Sequence, residues 1–224
     1  MPQPEVHLLV PVKSLTEAKS RLRGAADDGL GDPAAHARLA LSLARDTVAA
    51  ATAARLVRRV VVISPDPRVA AALGAGATVL GEGAGPGLNA ALEHGADILR
   101  AEGWAGPLAA VQADLPALRP EELDAALDRA LRLFAVSEVT HAFCADAAGT
   151  GTTLLMCAPS APLRPRFGVG SAAAHAAMGA VRLDGPWPGL RRDVDTTDDL
   201  REAAALGLGP ATSAVVGALP CLPR

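Results

Sequence analysis

The chain has 224 residues, 50% hydrophobic and 20% charged, with a formal net charge of −3. That is enough apolar material for a core, and it excludes wholesale disorder. Aromatic residues make up only 2%, with no tyrosine, which argues against base stacking as a main binding mode, and the acidic balance leaves no basic footprint for bulk nucleic acid. The length makes one α/β domain the default. The three cysteines, Cys144, Cys157 and Cys221, form no CxxC pair, so they read as small buried hydrophobes in a reducing cytosol. The segment Met1–Glu5 lacks the basic and apolar regions of a signal peptide, and no run of 18 apolar residues exists. A cytoplasmic protein with no membrane contact is therefore expected.

In chain order, Val6–Val12 reads as a buried first strand, and residues 13–35, rich in charge, Gly and Asp, as a long functional loop. Helical spacing of apolar residues runs from His36 to Ala53. Arg59–Ser64 is a short continuous apolar run typical of a strand covered on both faces. A short helix follows to Leu73, then a strand over Ala77–Leu80. The glycine-rich loop Gly81–Gly87 opens a helix over Leu88–Ala101. Pro107–Ala113 is a fourth strand, and Pro120 starts a helix to Phe134, with Glu121 and Glu122 in its first turn. Strands are expected at Val139–Cys144, at Thr152–Ala158 and near Val181, a short helix ends at Met178, and a closing helix covers Asp198–Leu206. The tail after residue 207 reads as loosely held. The alternation predicts a three-layer α/β/α fold of Rossmann type around a mostly parallel mixed sheet. Ligands of such sheets bind beyond the carboxyl ends of the strands.

The unusual residues fall at those ends. Lys13, Lys19 and Arg21 follow the first strand and suit a polyphosphate; the alternative is a solvated basic loop. No Walker motif is present. Gly81–Asn89 lets a ligand approach the backbone and ends at a helix N-terminus, or is an ordinary strand-to-helix connection. Asp114, directly after a buried strand, either caps something or faces the ligand crevice. Asp193 and Asp195 project to one side of an extended segment. Together they make a hard-oxygen pair suited to Mg²⁺, unless Asp195 or Thr196 caps the last helix. Gly149–Thr153 and Arg166–Ser171 are small and hydroxyl-bearing. Ser171 can be an N-cap, with backbone N–H groups left for a phosphate or carboxylate. His7, His36, His94 and His175 lie in strands or helices and read as structural.

With these segments placed, nearly the whole chain resembles a known family. The segments are Val10–Lys13 with Ala18–Leu22, Gly87–Ala91, Ala113–Pro116, Gly149–Thr153, Pro165–Ser171 with His175, and Asp193–Thr196. In order, they resemble the phosphoenolpyruvate and 2-phospho-L-lactate guanylyltransferases of coenzyme F420 biosynthesis. The resemblance implies a nucleotidyltransferase fold related to the molybdenum-cofactor guanylyltransferases. It implies a reaction in which GTP and a three-carbon phosphoacid give enolpyruvyl-diphospho-guanosine, or its lactyl counterpart, and pyrophosphate. By the same resemblance Asp114 and Asp193, with Asp195 as third partner, would hold Mg²⁺. Lys13, Lys19 and Arg21 would neutralise the triphosphate. Pro11, Gly87 and Asn89 would sit by the nucleoside, and Thr153, Gly168 and Ser171 would hold the phosphoacid. Thr152 and Thr153 point to opposite faces of a strand, so only one should touch substrate. The implied partners are GTP and the phosphoacid, with no nucleic acid and no membrane; a homodimer stays open. One rival is another nucleotidyltransferase acting on 3-phosphoglycerate, a sugar phosphate or the molybdenum cofactor. Such enzymes carry a glycine-rich loop after the first strand, which is missing here. The other rival is a non-catalytic nucleotide-binding subunit.

Overall fold

The structure is a computed structural model that describes residues 5–15, 22, 25, 29–73 and 76–217. Its strands are β1 (Val6–Pro11), β2 (Val57–Ile63), β3 (Thr78–Leu80), β4 (Leu108–Val111), β5 (His141–Ala145), β6 (Thr152–Cys157) and β7 (Val181–Leu183). The helices are α1 (Pro33–Ala53), α2 (Pro67–Leu73), α3 (Gly87–Ala101), α4 (Pro120–Val136), α5 (Ser171–Ala177), α6 (Pro188–Arg191), α7 (Thr197–Leu206) and α8 (Pro210–Gly217).

The strands form one seven-stranded sheet in the order β3-β2-β1-β4-β6-β5-β7. β1 pairs in parallel with β2 and with β4, while β6 runs antiparallel to both of its neighbours. The run of apolar residues in β1 follows from burial on both faces. Leu8 and Val10 join one core cluster with α1, α2 and α4, and Leu9 joins the other with α3 and α5. In β4, Ala109 and Val111 face the first layer and Leu108 and Ala110 the second, so no position could be polar without an unmet desolvation cost. α3 approaches the sheet closely at Gly95, where a Cβ would lie 2.5 Å from Ile63 Cδ1 and 2.7 Å from Leu9 Cδ2.

Three elements differ from the sequence-based expectation. α1 starts at Pro33 rather than His36, because the Asp32 carboxylate accepts the N–H groups of Ala34 and Ala35 at 3.0 and 3.1 Å. Asp32 and Pro33 are an N-cap and first-turn pair that precede the apolar period. α6 is a single turn where no element was expected, just before the extended acidic segment. Its Leu190 N–H donates to Glu122 Oε2 of α4 at 2.8 Å. α8 replaces the expected loose tail. Its cap comes from the middle of α1, where the buried Asp46 carboxylate accepts the N–H groups of Ala211 and Thr212 at 2.9 and 2.7 Å. A cap supplied from 165 residues away leaves no local signal. Among the described residues no helix is long and apolar enough to cross a membrane. Cys144 and Cys157 are buried free thiols, and burial pushes Cys144 up to about 11, so both act as packing groups. Cys221 lies outside the described residues.

Candidate active site

β1 has β2 on one side and β4 on the other, and the chain runs from β1 outward through β2 and β3 before it crosses back by α3 to β4, so the strand order reverses between β1 and β4. The crevice beyond such a pair of carboxyl ends is where ligands of open α/β sheets bind. A cleft of about 310 Å³ opens there. Its lining includes six of the sequence candidates: Pro11, Lys13, Asp114, Gly168, Asp193 and Asp195. Its apolar wall is Val12, Leu15, Ala40, Leu43, Ala44, Leu88 and Phe167.

The two acidic segments are tied by their backbones. Val194 N–H donates to Asp114 O at 3.1 Å, and the Val194 side chain is buried in the cluster of α1 and α7. With Val194 turned inward, Asp193 and Asp195 flank it and both reach the cleft. The question of the last helix's cap has a definite answer. Thr196 caps α7, accepting Asp199 N–H, and Asp199 accepts Thr196 N–H in return. The capping role therefore falls on Thr196. The preceding arginines serve the frame. Arg191 donates to the carbonyls of Ala145 and Asp146, and Arg192 pairs with Asp199 and Glu202. Among the described residues no three His, Cys, Asp or Glu side chains are grouped closely enough to hold a metal ion by themselves.

Lys13 is exposed and lines the same cleft. The backbone around it is pinned to the end of β2: Val12 N–H donates to Ile63 O at 2.8 Å and Leu15 N–H to Asp66 Oδ2 at 3.1 Å. Asp66 is buried, and the Arg68 guanidinium holds its carboxyl well below the usual range. Its charge therefore persists as the acceptor for Leu15. Lys19 and Arg21 lie outside the described residues.

The glycine loop and the acceptor segment depart from expectation in a consistent way. Gly87 adopts φ +86°, a left-handed turn into α3, but Leu88 rather than Gly87 or Asn89 reaches the cleft. The Asn89 amide is engaged in both directions by one backbone unit, donating to Phe167 O at 3.0 Å and accepting Phe167 N–H at 2.9 Å. It holds the Phe167–Gly168 loop rather than lining the cleft. Ser171 is only 2% exposed and is the first helical residue, not the cap. The cap is Gly170, with φ +72°. The N–H groups expected to be available there are committed, Ser171 N–H to Gly168 O and Ala172 N–H to Thr150 O, both at 3.1 Å. Thr153 is fully buried behind the cleft, its hydroxyl 3.5 Å from Cys144 O, and Thr152 is turned to His175 Nδ1 at 2.9 Å. Neither threonine lines the cleft.

His175 organises this wall. Its Nε2 accepts Arg166 N–H at 2.9 Å, so Nδ1 carries the proton and donates to Thr152 Oγ1. Burial, with the nearby Arg166 charge, brings it down to about 4, so the neutral ring is the form that bonds. The structural reading of this histidine is what the geometry gives. The sequence reading missed Gln112, Leu88 and Phe167 as lining residues; Gln112, two positions before Asp114, was the one with a usable signal.

No family model matches the chain. Individual proteins do. A phosphoenolpyruvate guanylyltransferase from Salinispora arenicola is 52% identical over 211 residues, covering 94% of this chain and 92% of its own. Another from Streptomyces coelicolor is 52% identical over 217 residues, covering 95% and 96%. This chain belongs to the phosphoenolpyruvate guanylyltransferase family. The fold agrees. A solved nucleotidyl transferase from Methanothermobacter thermautotroptrophicus superposes with a TM-score of 0.59 at 16% identity, covering 90% of this chain and 97% of the other. Lys13, Asp114, Asp193 and Asp195 line one cleft.

Proposed function

We propose that this chain transfers GMP from GTP to the phosphate of phosphoenolpyruvate, releasing pyrophosphate, as a step of coenzyme F420 biosynthesis. The observation that carries the reading is the cleft at the ends of β1 and β4, where Lys13 and three carboxylates line one cavity. A phosphate oxygen of the acceptor attacks the α-phosphorus of GTP. The new P–O bond forms as the α–β bridging P–O bond breaks, and pyrophosphate leaves with the electron pair. The acceptor phosphate is already ionised near pH 7, so no general base is required, in keeping with a neutral, internally bonded His175. Rate enhancement comes from positioning and charge neutralisation.

Lys13 neutralises phosphate oxygens of the triphosphate, with Lys19 and Arg21 assigned the same role. Pro11, Gly87 and Asn89 shape the nucleoside side, Asn89 through Phe167. Gly168 is the acceptor-side residue at the cleft. Thr153 and Ser171 act from behind it, Ser171 by donating its N–H to Gly168 O. The donor set fits Mg²⁺ in one particular way. Mg²⁺ takes one or two carboxylates plus substrate phosphates and water, so a pair drawn from Asp114, Asp193 and Asp195 suffices once nucleotide is present. No ready-made three-residue cage is needed. When bound, the ion would supply Lewis-acid neutralisation of the phosphate oxygens.

The test is pyrophosphate release with GTP and Mg²⁺, varying the acceptor among phosphoenolpyruvate, 2-phospho-L-lactate and 3-phosphoglycerate. Fastest release with phosphoenolpyruvate is expected. Faster release with another acceptor would reassign the substrate, and GTP binding without release under any condition would overturn the catalytic reading.

A further inference from the structure

Asp114 follows a four-residue strand and sits on a turn, where a carboxylate has no regular element to aim it. The aim comes from elsewhere. Thr47, in the middle of α1, is fully buried. In an isolated helix a threonine hydroxyl ordinarily donates to the carbonyl four residues back, and here Thr47 Oγ1 lies 3.0 Å from Leu43 O. It also lies 3.1 Å from Ala113 O, so one hydroxyl hydrogen is shared between two carbonyls. The same oxygen accepts Leu115 N–H at 3.0 Å. A single side chain thus holds the residue before Asp114 and the residue after it. The helix gains nothing from either bond.

The carbonyl of Asp114 itself accepts Val194 N–H at 3.1 Å, and Val194 carries Asp193 and Asp195 on either side. The turn that Thr47 holds is therefore also the anchor of the second acidic segment. We propose that Thr47 is a positioning residue for the reaction: its hydroxyl sets the turn that aims Asp114 into the cleft and, through Val194, the register of Asp193 and Asp195. It touches no substrate. This rests on the reading of Asp114 as a carboxylate that works on the metal and phosphates.

The experiment compares Thr47→Val, which keeps the shape and removes the hydroxyl, with Thr47→Ser, which keeps the hydroxyl, and with Asp114→Asn. Two readouts are taken. One is steady-state kinetics against Mg²⁺, GTP and phosphoenolpyruvate. The other is the rise in Tm on adding Mg²⁺ and GTP without acceptor, which needs no turnover. Thr47→Val should lower kcat about 10-fold or more and raise the half-saturating Mg²⁺, as sub-ångström misplacement of a catalytic group does. Its KM for phosphoenolpyruvate should hold, and most of the ligand-induced rise in Tm should be lost. Thr47→Ser should restore both readouts. Where the valine variant does not fold, Thr47→Ala carries the same expectation. A folded Thr47→Val with wild-type kcat and wild-type Tm rise, alongside an inactive Asp114→Asn, would sink the inference alone. An Asp114→Asn that keeps both readouts would instead sink the reading on which it rests.

Discussion

The two walls of the cleft solve the same problem in opposite ways. On the wall formed by the ends of β1 and β4, charged side chains reach the cleft and the backbone is tied behind them, by Ile63 and Asp66 on one strand and by Val194 on the other. On the wall formed by Phe167 and Gly168 in the loop before α5, the nearby polar side chains of α3, β6 and α5 turn away from the cleft. Asn89, Thr152 and His175 bond to one another's segments and leave backbone, at Gly168, to face the ligand. The difference teaches how to read polar residues near a site. Charged side chains are presented to the cleft, while neutral amides, hydroxyls and an imidazole are spent on holding a loop whose own N–H and C=O groups define shape.

That contrast can be broken by substitutions that separate presenting from holding. The largest effect is expected from Asp193→Asn. The fold should stay intact while turnover falls by at least about 100-fold, since Asn lacks the charge proposed to hold Mg²⁺ against the phosphates, a neutralisation worth several kcal/mol in the transition state. Pyrophosphate release at a near wild-type rate would remove Asp193 from the metal site. Lys13→Ala should cost about 10- to 100-fold in kcat/KM for GTP, the range of a charged hydrogen bond. Because Lys13 is exposed, Tm should hardly move. A large loss of Tm with activity preserved would make it a structural residue. On the holding wall, Asn89→Ala removes both bonds to Phe167. It should raise KM about 10-fold, with a visible loss of stability, because buried amide bonds contribute about 1 kcal/mol each. An unchanged KM would show that the loop does not depend on it.

The smallest effect, absent at neutral pH, belongs to His175. Its value in the fold, about 4, is lowered from 6.5. The unfolded chain therefore binds the proton more readily, and stability is complete above about pH 6.5 and lost as pH falls towards 4. Between pH 7.5 and 5 the loss should be about 2 kcal/mol, read as a falling Tm. His175→Gln, which does not titrate, should lack this part of the acid slope. An identical slope in both proteins would assign it to other groups.

The expected strands and helical layers were legible, because apolar runs and turn signals are local; the strand order, with β1 between β2 and β4, was not, because it depends on pairing between distant segments. The acidic and basic side of the cleft was legible as well. Each charge after a strand had an ordinary alternative, a solvated loop or a cap, and only their joint placement at the carboxyl ends pointed to one crevice. The holding wall was harder to read for a physical reason. Thr153 and Ser171 look like ligand groups in sequence, but whether a hydroxyl faces a cleft or a neighbouring strand depends on pairing across the sheet, as with Cys144 beside Thr153. The partners of Asn89 and His175 sit 78 and 23 residues away in the chain. α8 was missed because its cap, Asp46, is not near it in sequence.

That cap bears on the order in which the protein can be made. Asp46 leaves the ribosome long before residues 211 and 212, and until they arrive its carboxylate has no N–H groups of α8 to accept. Gly209 shares the dependence, since a side chain there would overlap Asp46. During synthesis α1 thus carries a charge at a position that can be buried only when the last helix docks. Contacts of such long sequence separation form slowly. A chain cut at residue 209 would lack the two N–H groups that Asp46 accepts, one position before the hydroxyl that holds the residues on either side of Asp114.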